Sequence, residues 1–314
     1  MNSLVMFDYE GEWGMPHRVP YDIERTTSRI LEVLCHHDVR AMFFIVGRLV
    51  EERPDLVARI HDANQAIGIH GHRHERLYSL SPHALQALGE ELRRVRDLVA
   101  TITGEPPVAF RAPYLLAPRF VDAGLTKLLL ELDFRWTSNR WVRFPEQLTR
   151  SKYRELRATA SVLERLGLFD VRHPLGKAAF VAQNVRLMAR DPDLGLRGGF
   201  HWLRGQREPI LRAGHLYDIA VTAPLDVNFL GLPNPDAPSP QALVELATAR
   251  MGNADAHGGS PYTVTFHDWV IGSCNRLGIL DQIMGHLRET TRVLDARTYD
   301  PAEERLPTHS PAPA

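Results

Sequence analysis

Short apolar runs alternate with amphipathic segments through the first half of the chain. The apolar runs predict strands, and Ala41–Val46 is apolar throughout, which is typical of a strand buried on both faces. The clearest predicted helix is Ser81–Thr103, where apolar residues recur at steps of three and four and Gly104 follows the last turn. The remaining predicted elements are strands at Leu4–Phe7, Ala66–His70, Val108–Arg111 and Phe134–Thr137, and helices at Ile23–His37, Pro54–Asn64 and a segment ending near Glu131.

This alternation of strands and helices predicts parallel strands joined by crossover helices. In such folds the catalytic and binding residues lie at the carboxyl ends of the strands. Polar residues follow four of the apolar runs at that end: Asp8, His70, Arg111 and His267. The sequence therefore predicts an α/β barrel with a functional site on one face.

The second half of the chain departs from this rhythm. Residues 144–212 contain one long helical pattern, Tyr153–Leu166, followed by irregular sequence rich in arginine, glycine and aromatic residues. We predict a single domain over residues 1–300, with a largely helical insertion at 144–212 on the barrel rim. Whether the insertion serves as a lid, a membrane contact, an oligomer surface or a structural cap stays open. The tail at 307–314 is predicted to be disordered.

Composition and charge argue against several classes of protein. The net charge of −1 provides no field that would gather nucleic acid. No apolar run reaches the length of a transmembrane helix. The two cysteines lie far apart outside any CxxC pair, which favours a reducing compartment. Because the N-terminal segment shows no basic region followed by an apolar stretch, we expect no signal peptide and a cytoplasmic location.

The segment GIHGHRHERL carries a candidate pair of metal ligands, His70 and His74. Gly68 and Gly71 argue against a helix here and favour a loop that turns both imidazoles inward. Zinc, cobalt and nickel accept imidazole together with carboxylate. His72 is expected to face away from the metal, since three protein ligands suffice for an open catalytic site.

The carboxylates and the proton donor are expected from other strand ends. FDYEG offers Asp8 and Glu10, which strand-like alternation places on the same side. One of the two can bind a metal while the other accepts a proton. Arg111, in FRAPY, could hold a carboxylate by a two-pronged hydrogen bond. His267, in VTFHDW, is a candidate acid.

The motifs FDYEG, HGHRH, FRAPY and VTFHDW, in this order, resemble those of the polysaccharide deacetylase family, also called the NodB-homology family or carbohydrate esterase family 4. The resemblance covers about residues 3–140 and 215–295. It implies a distorted (β/α)7 barrel of NodB-homology type. It also implies one divalent metal ion, for which we expect zinc, with cobalt or nickel as alternatives.

The resemblance also implies a role for each motif residue. Glu10, His70 and His74 correspond to the metal ligands, and Asp8 corresponds to the base that removes a proton from metal-activated water. The other implied roles are Arg111 as the group that holds Asp8, His267 as the acid that protonates the departing amine, the backbone amide of Tyr114 as the oxyanion donor, and Trp13 as a stacking surface for a sugar ring or a packing residue.

Three features depart from the usual family pattern. Tyr9 separates the two acidic residues, and the second one is Glu10 where an aspartate is usual. In FRWTSNRW, Thr137 occupies the place of an expected aspartate, so the tuning of His267 is expected to come from another group. Most secreted family members also carry a signal or anchor segment, which we do not expect in this protein.

We therefore predict a hydrolase of carbon–nitrogen bonds that removes an N-acetyl or other N-acyl group from an intracellular amino sugar or sugar-containing metabolite. The expected partner is this small molecule, with peripheral contact to a lipid-linked substrate as one possibility. The alternatives are a ring-opening hydrolase of cyclic amides such as allantoin, a deformylase of lipid-linked sugars and a catalytically silent binding protein. The oligomeric state is left open.

Overall fold

The computed structural model describes residues 2–14, 21–77, 80–114, 123–139, 141–142, 210–222, 226, 261–273 and 276–303. The predicted helix at Tyr153–Leu166 and the predicted tail at 307–314 lie outside these residues. The predicted insertion at 144–212 also lies outside them, apart from its last three residues. None of the helices in the described ranges is long and apolar enough to cross a membrane.

Strands and helices alternate along the first part of the chain, as predicted. The strands are β1 (Asn2–Tyr9), β2 (Met42–Ile45), β3 (Ala66–Ile69), β4 (Ala109–Phe110), β5 (Trp136–Thr137), β6 (Trp141–Val142), β7 (Ile210–Ala213), β8 (Leu216–Ile219), β9 (Val221–Thr222), β10 (Tyr262–His267) and β11 (Arg292–Val293). The helices are α1 (Ile23–His36), α2 (Gly47–Glu52), α3 (Pro54–Asp62), α4 (Pro82–Thr103), α5 (Ala123–Glu131), α6 (Asp268–Ile271) and α7 (Leu277–Thr290), with a 3-10 turn at Gly11–Trp13.

The main sheet has the strand order β10-β1-β2-β3-β4-β5-β8-β7, and β11 also pairs with β1. Every ladder in it is parallel except β7–β8. A second parallel pair, β6–β9, follows β5 and β8 after a short break in each strand. Counting β5 with β6 and β8 with β9 gives seven parallel positions, β10, β1, β2, β3, β4, β5/β6 and β8/β9. The predicted distorted (β/α)7 barrel is therefore confirmed.

One hydrogen bond joins the two ends of this series of strands. The hydroxyl of Thr263 on β10 donates to the carbonyl of Ala220, which lies between β8 and β9, at 3.2 Å. β10 thus approaches the β8/β9 position as well as pairing with β1. The carboxyl ends of β1 and β10 lie on the same face, where Asp8 on β1 pairs in register with His267 on β10.

α4 shows how the local sequence defines an element. The side chain of Ser81 accepts the Ala84 amide at 3.2 Å, and Pro82 occupies the first turn, where the missing N–H costs nothing. Gly104 ends the helix with φ +85°, in the left-handed region that glycine tolerates. The buried leucines and valines of this helix keep the predicted steps of three and four: Leu88, Leu92, Val95 and Val99.

The core between the sheet and its helices fixes the strands that carry the site. The ring of Phe7 on β1 stacks on Phe43 of β2 at 4.8 Å between centroids and on Phe266 of β10 at 5.4 Å. Successive strand residues point to opposite faces, so packing Phe7 and Phe266 against the helices turns Asp8 and His267 into the barrel. The apolar periodicity thus sets the direction of the polar residues.

α2 was not predicted, because six residues cover fewer than two helical turns and give no periodic signal. Its first two amides, of Gly47 and Arg48, donate to the carbonyls of Gly71 at 3.1 Å and His72 at 2.8 Å. A Cβ atom on Gly47 would lie 2.9 Å from the His72 ring, so glycine permits this close approach. The helix therefore supports the loop at residues 70–74, called the HGHRH loop below.

Candidate metal centre

The HGHRH loop leaves β3 without forming a helix, as the sequence predicted. Gly71 and His74 both have positive φ, at +66° and +57°, which turns the chain sharply. The Nδ1–H of His70 donates to the carbonyl of Arg111 at 3.0 Å, which orients Nε2 toward Glu10. The side chains of His70 and His74 are both buried.

Glu10 brings a carboxylate between these two imidazoles. Its Oε1 lies 3.2 Å from Nε2 of His70 and 2.9 Å from Nε2 of His74. One ligand atom from each residue lies within 4.8 Å of the others. Nδ1 of His74 has no hydrogen-bond partner among the described residues, while its Nε2 faces Glu10. A carboxylate with two imidazoles fits a divalent zinc, cobalt or nickel ion.

The surroundings of Glu10 favour its ionised form. Burial alone would raise its pKa, but the charge of His267 and the hydrogen bonds from His70 and His74 hold the pKa of Glu10 well below its usual value. Its second oxygen, Oε2, accepts the indole N–H of Trp269 at 2.7 Å. The carboxylate therefore presents only Oε1 to the two imidazoles.

Asp8 and Arg111 form a buried ion pair beside this cluster. Arg111 Nη1 donates to Asp8 Oδ1 at 2.5 Å, and the guanidinium lies 4.4 Å from the ring centroid of Phe44. The expected two-pronged bond is not formed, because Nε and Nη2 donate instead to the carbonyl and hydroxyl oxygens of Ser138 at 3.2 and 2.9 Å. Asp8 Oδ2 faces His267 Nε2 at 3.7 Å.

His267 is held by Asp226, a residue that the sequence did not indicate. Nδ1 of His267 lies 2.6 Å from Asp226 Oδ1, and the backbone amide of His267 donates to Asp226 Oδ2 at 2.7 Å. Burial would lower the pKa of His267, but the negative charges of Asp226, Glu10 and Asp8 raise it to about 10. These carboxylates favour the protonated imidazole, and a divalent cation beside Glu10 would oppose that charge.

Two residues that follow His267 also contact the first motif and were missed. The carboxylate of Asp268 accepts the backbone amides of Glu10 at 2.8 Å and Gly11 at 3.0 Å, together with the hydroxyl of Tyr21. Trp269 binds the Glu10 side chain, as described above. The signal available in the sequence was their position directly after the strand that carries His267.

Thr137, where an aspartate was expected, takes part in a different network. Its hydroxyl donates to Asp218 Oδ1 at 2.8 Å, and the same oxygen accepts the amide of Asn139 at 2.9 Å. The Asn139 side chain in turn accepts the amide of Ala112 at 2.7 Å. This network positions the FRAPY loop, while the carboxylate partner of His267 comes from Asp226 on another segment.

Tyr114 and Trp13 are the two large apolar side chains exposed among the described residues, at 59% and 37%. Tyr114 has φ +60°, and its ring centroid lies 4.6 Å from that of His74. Trp13 ends the 3-10 turn that follows Glu10, and its indole N–H donates to Glu52 at 3.4 Å. Both aromatic side chains are therefore exposed. Tyr114 lies beside His74 in space, and Trp13 lies near Glu10 in the sequence.

His72 is buried and turns away from Glu10, as predicted. Its Nε2 lies 3.3 Å from Glu51 on α2 and its Nδ1 lies 3.2 Å from Glu91 on α4. It thus joins the HGHRH loop to the surrounding helices.

The fold and the cluster define the class of protein: an α/β barrel with a candidate metal centre at the carboxyl ends of its strands. Residues 5–132 match the family model described as polysaccharide deacetylase. The predicted resemblance to the polysaccharide deacetylase family is thereby confirmed over the part of the chain that carries FDYEG, HGHRH and FRAPY.

Two curated relatives match 116 and 87 residues of the chain. One is a peptidoglycan-N-acetylglucosamine deacetylase of Bacillus cereus, 32% identical over 116 residues that make up 35% of this chain and 40% of that protein. The other is a peptidoglycan-N-acetylmuramic acid deacetylase of Bacillus subtilis, 32% identical over 87 residues, 28% of this chain and 32% of that protein. The chain therefore spans well under half the length of these relatives.

A solved structure shows the same fold over most of the chain. It is that of a Mycobacterium smegmatis protein provisionally named a polysaccharide deacetylase, with a TM-score of 0.61 and 16% identity. The match covers 94% of this chain and 86% of that one.

Proposed function

We propose that this protein is a metal-dependent amide hydrolase that removes an N-acetyl or other N-acyl group from an amino sugar. The observation that carries the proposal is the position of Glu10 Oε1 within 3.2 Å of Nε2 of both His70 and His74. The names of the curated relatives support the acetamido sugar as the substrate group.

Glu10, His70 and His74 would hold one divalent metal ion, with zinc as the first candidate and cobalt or nickel as alternatives. When bound, such an ion polarises the acyl group and acidifies water. Three protein ligands leave room for the substrate, as catalytic sites require.

Asp8 is proposed as the base. Because Arg111 holds Oδ1, the free oxygen Oδ2 is directed into the site and can take the proton of the attacking water. Arg111 is fully buried and itself fixed by Ser138, so the direction of the carboxylate is set before substrate binds.

His267 is proposed as the acid. Its Nδ1–H is held by Asp226, which leaves the Nε2–H directed toward the cluster. From there the imidazolium can protonate the amine as it leaves.

Tyr114 and Trp13 are proposed as the substrate-facing groups. The backbone amide of Tyr114 would donate to the oxyanion. The exposed ring of Trp13 would stack on a sugar ring.

The narrower part of the proposal concerns the substrate and its location. We propose a small intracellular amino sugar or sugar-containing metabolite, whereas the curated relatives are named for peptidoglycan. Both substrate types share the acetamido group that Asp8 and His267 would process. Contact with a lipid-linked substrate stays a prediction.

The test is hydrolysis by the purified metal-loaded protein, followed as free amine for the sugars and as new carboxylate for allantoin. The substrates would be acetylated and formylated amino sugars, free or carried on nucleotide or lipid, with a peptidoglycan fragment and allantoin for comparison. Amine release from an acetamido sugar by the wild type but not by Asp8→Asn would support the proposal. Activity on allantoin alone, or on none of these compounds, would contradict it.

A further inference from the structure

Glu10 is contacted at each of its two carboxylate oxygens by a different group. Oε1 faces the imidazoles, while Oε2 accepts the indole N–H of Trp269 at 2.7 Å. Trp269 is itself buried, and its ring packs 5.9 Å from that of His267. The indole N–H has no lone pair to offer a metal, so it can only act as a donor to Glu10.

The backbone of Glu10 is fixed from the same segment. Asp268, adjacent to Trp269, accepts the amides of Glu10 and Gly11 at 2.8 and 3.0 Å. A Cβ atom on Gly14 would overlap Glu10 Oε2, so the space on the far side of this oxygen is also filled. The carboxylate therefore has little freedom to rotate.

A glutamate that binds a metal through both oxygens would occupy an additional coordination position. We propose that Trp269 is a positioning residue that reserves Oε2, so that Glu10 binds the metal through Oε1 alone and leaves a position open for substrate. This inference rests on the proposed function and adds the residue that fixes how its carboxylate ligand binds.

The test is cobalt binding to purified full-length Trp269→Phe, which removes the N–H and keeps an aromatic ring. Partners that orient metal ligands typically change metal affinity by about 10–100-fold when removed. The cobalt dissociation constant is therefore expected to rise by about this factor. The visible absorption of bound cobalt is also expected to change, because it depends on coordination number and geometry.

Trp136→Phe is the matched control. Trp136 is a buried tryptophan whose ring packs edge-on against Phe44 and Tyr299, away from Glu10. It should keep the wild-type constant and spectrum. Gly14→Ala gives a second test without removing a core ring, since its methyl group would push on Oε2 and should alter the same two measurements.

The inference is overturned if Trp269→Phe and Gly14→Ala bind cobalt within about two-fold of the wild-type constant, which is below the effect expected for an orienting partner. It is also overturned if affinity falls while the spectrum stays that of the wild type, because that result indicates general destabilisation. Wild-type protein that binds no divalent metal would instead contradict the proposed function.

Discussion

Asp226 contacts His267 through both of its carboxylate oxygens, one to the ring Nδ1 at 2.6 Å and one to the backbone amide at 2.7 Å. This pair orients the imidazole and places a negative charge beside it. Because Asp226 follows the two-residue strand β9, the tuning of the proposed acid comes from a different segment than the one that carries Thr137.

Asp226→Asn should shift the pH dependence of catalysis. The acid must be protonated, so activity is lost as pH rises through the pKa of His267. Burial lowers that pKa, and removing the Asp226 charge, which raises it, leaves the pKa lower than in the wild type. The alkaline limb of kcat/KM is therefore expected to move to lower pH.

The control for this shift is Asp281→Asn, which removes an exposed carboxylate that pairs with His37. Its profile should match the wild type. An alkaline limb that stays in place in Asp226→Asn would show that His267 does not act as the proposed acid through this pair.

Asp8→Asn should separate catalysis from metal binding. The amide cannot accept the proton of water, so turnover is expected to fall by about 100-fold or more. Metal content should stay near that of the wild type, because Glu10, His70 and His74 are unchanged. Parallel metal analysis and steady-state kinetics check both statements, and unchanged turnover would refute the role of Asp8 as base.

Gly71→Ala should destabilise the HGHRH loop. Gly71 has φ +66°, and an added Cβ would lie 2.9 Å from the Pro113 ring. Strained backbone of this kind costs about 1–3 kcal/mol of unfolding free energy, measurable by urea denaturation.

Gly104→Ala is the matched control for this substitution. Gly104 also has positive φ, but nothing lies within 4 Å of its added Cβ. A smaller loss is expected there, because only the backbone conformation is penalised. Equal losses for the two variants would show that contact with Pro113 contributes nothing.

The predicted elements followed the apolar periodicity closely. Ile23–His37 was predicted and α1 spans Ile23–His36, while the predicted helix Ser81–Thr103 became α4. The hydrophobic pattern predicted these elements because packing against a sheet requires an apolar period of 3.6 residues in helices and a short apolar run in strands. The six-residue helix α2 and the two-residue strands β6, β9 and β11 give no such period, which is why they were missed.

The candidate site was predictable where its residues end long strands. Asp8 and His267 lie at the carboxyl ends of β1 and β10, and the structure brings them together with Glu10. Asp226 was not predictable, because it follows a strand too short to recognise and its role depends on tertiary contact. Arg111 was expected to donate two hydrogen bonds to one carboxylate, but two of its nitrogens, Nε and Nη2, donate to Ser138.

The central claim is that Glu10, His70 and His74 hold a metal on which hydrolysis depends. The most direct test is metal analysis of the purified protein, combined with amine release from an acetamido sugar before and after chelation. We expect one divalent ion per chain, loss of activity in chelator and recovery when zinc or cobalt is restored. Full activity in chelator, from protein that contains no stoichiometric metal, would contradict the account.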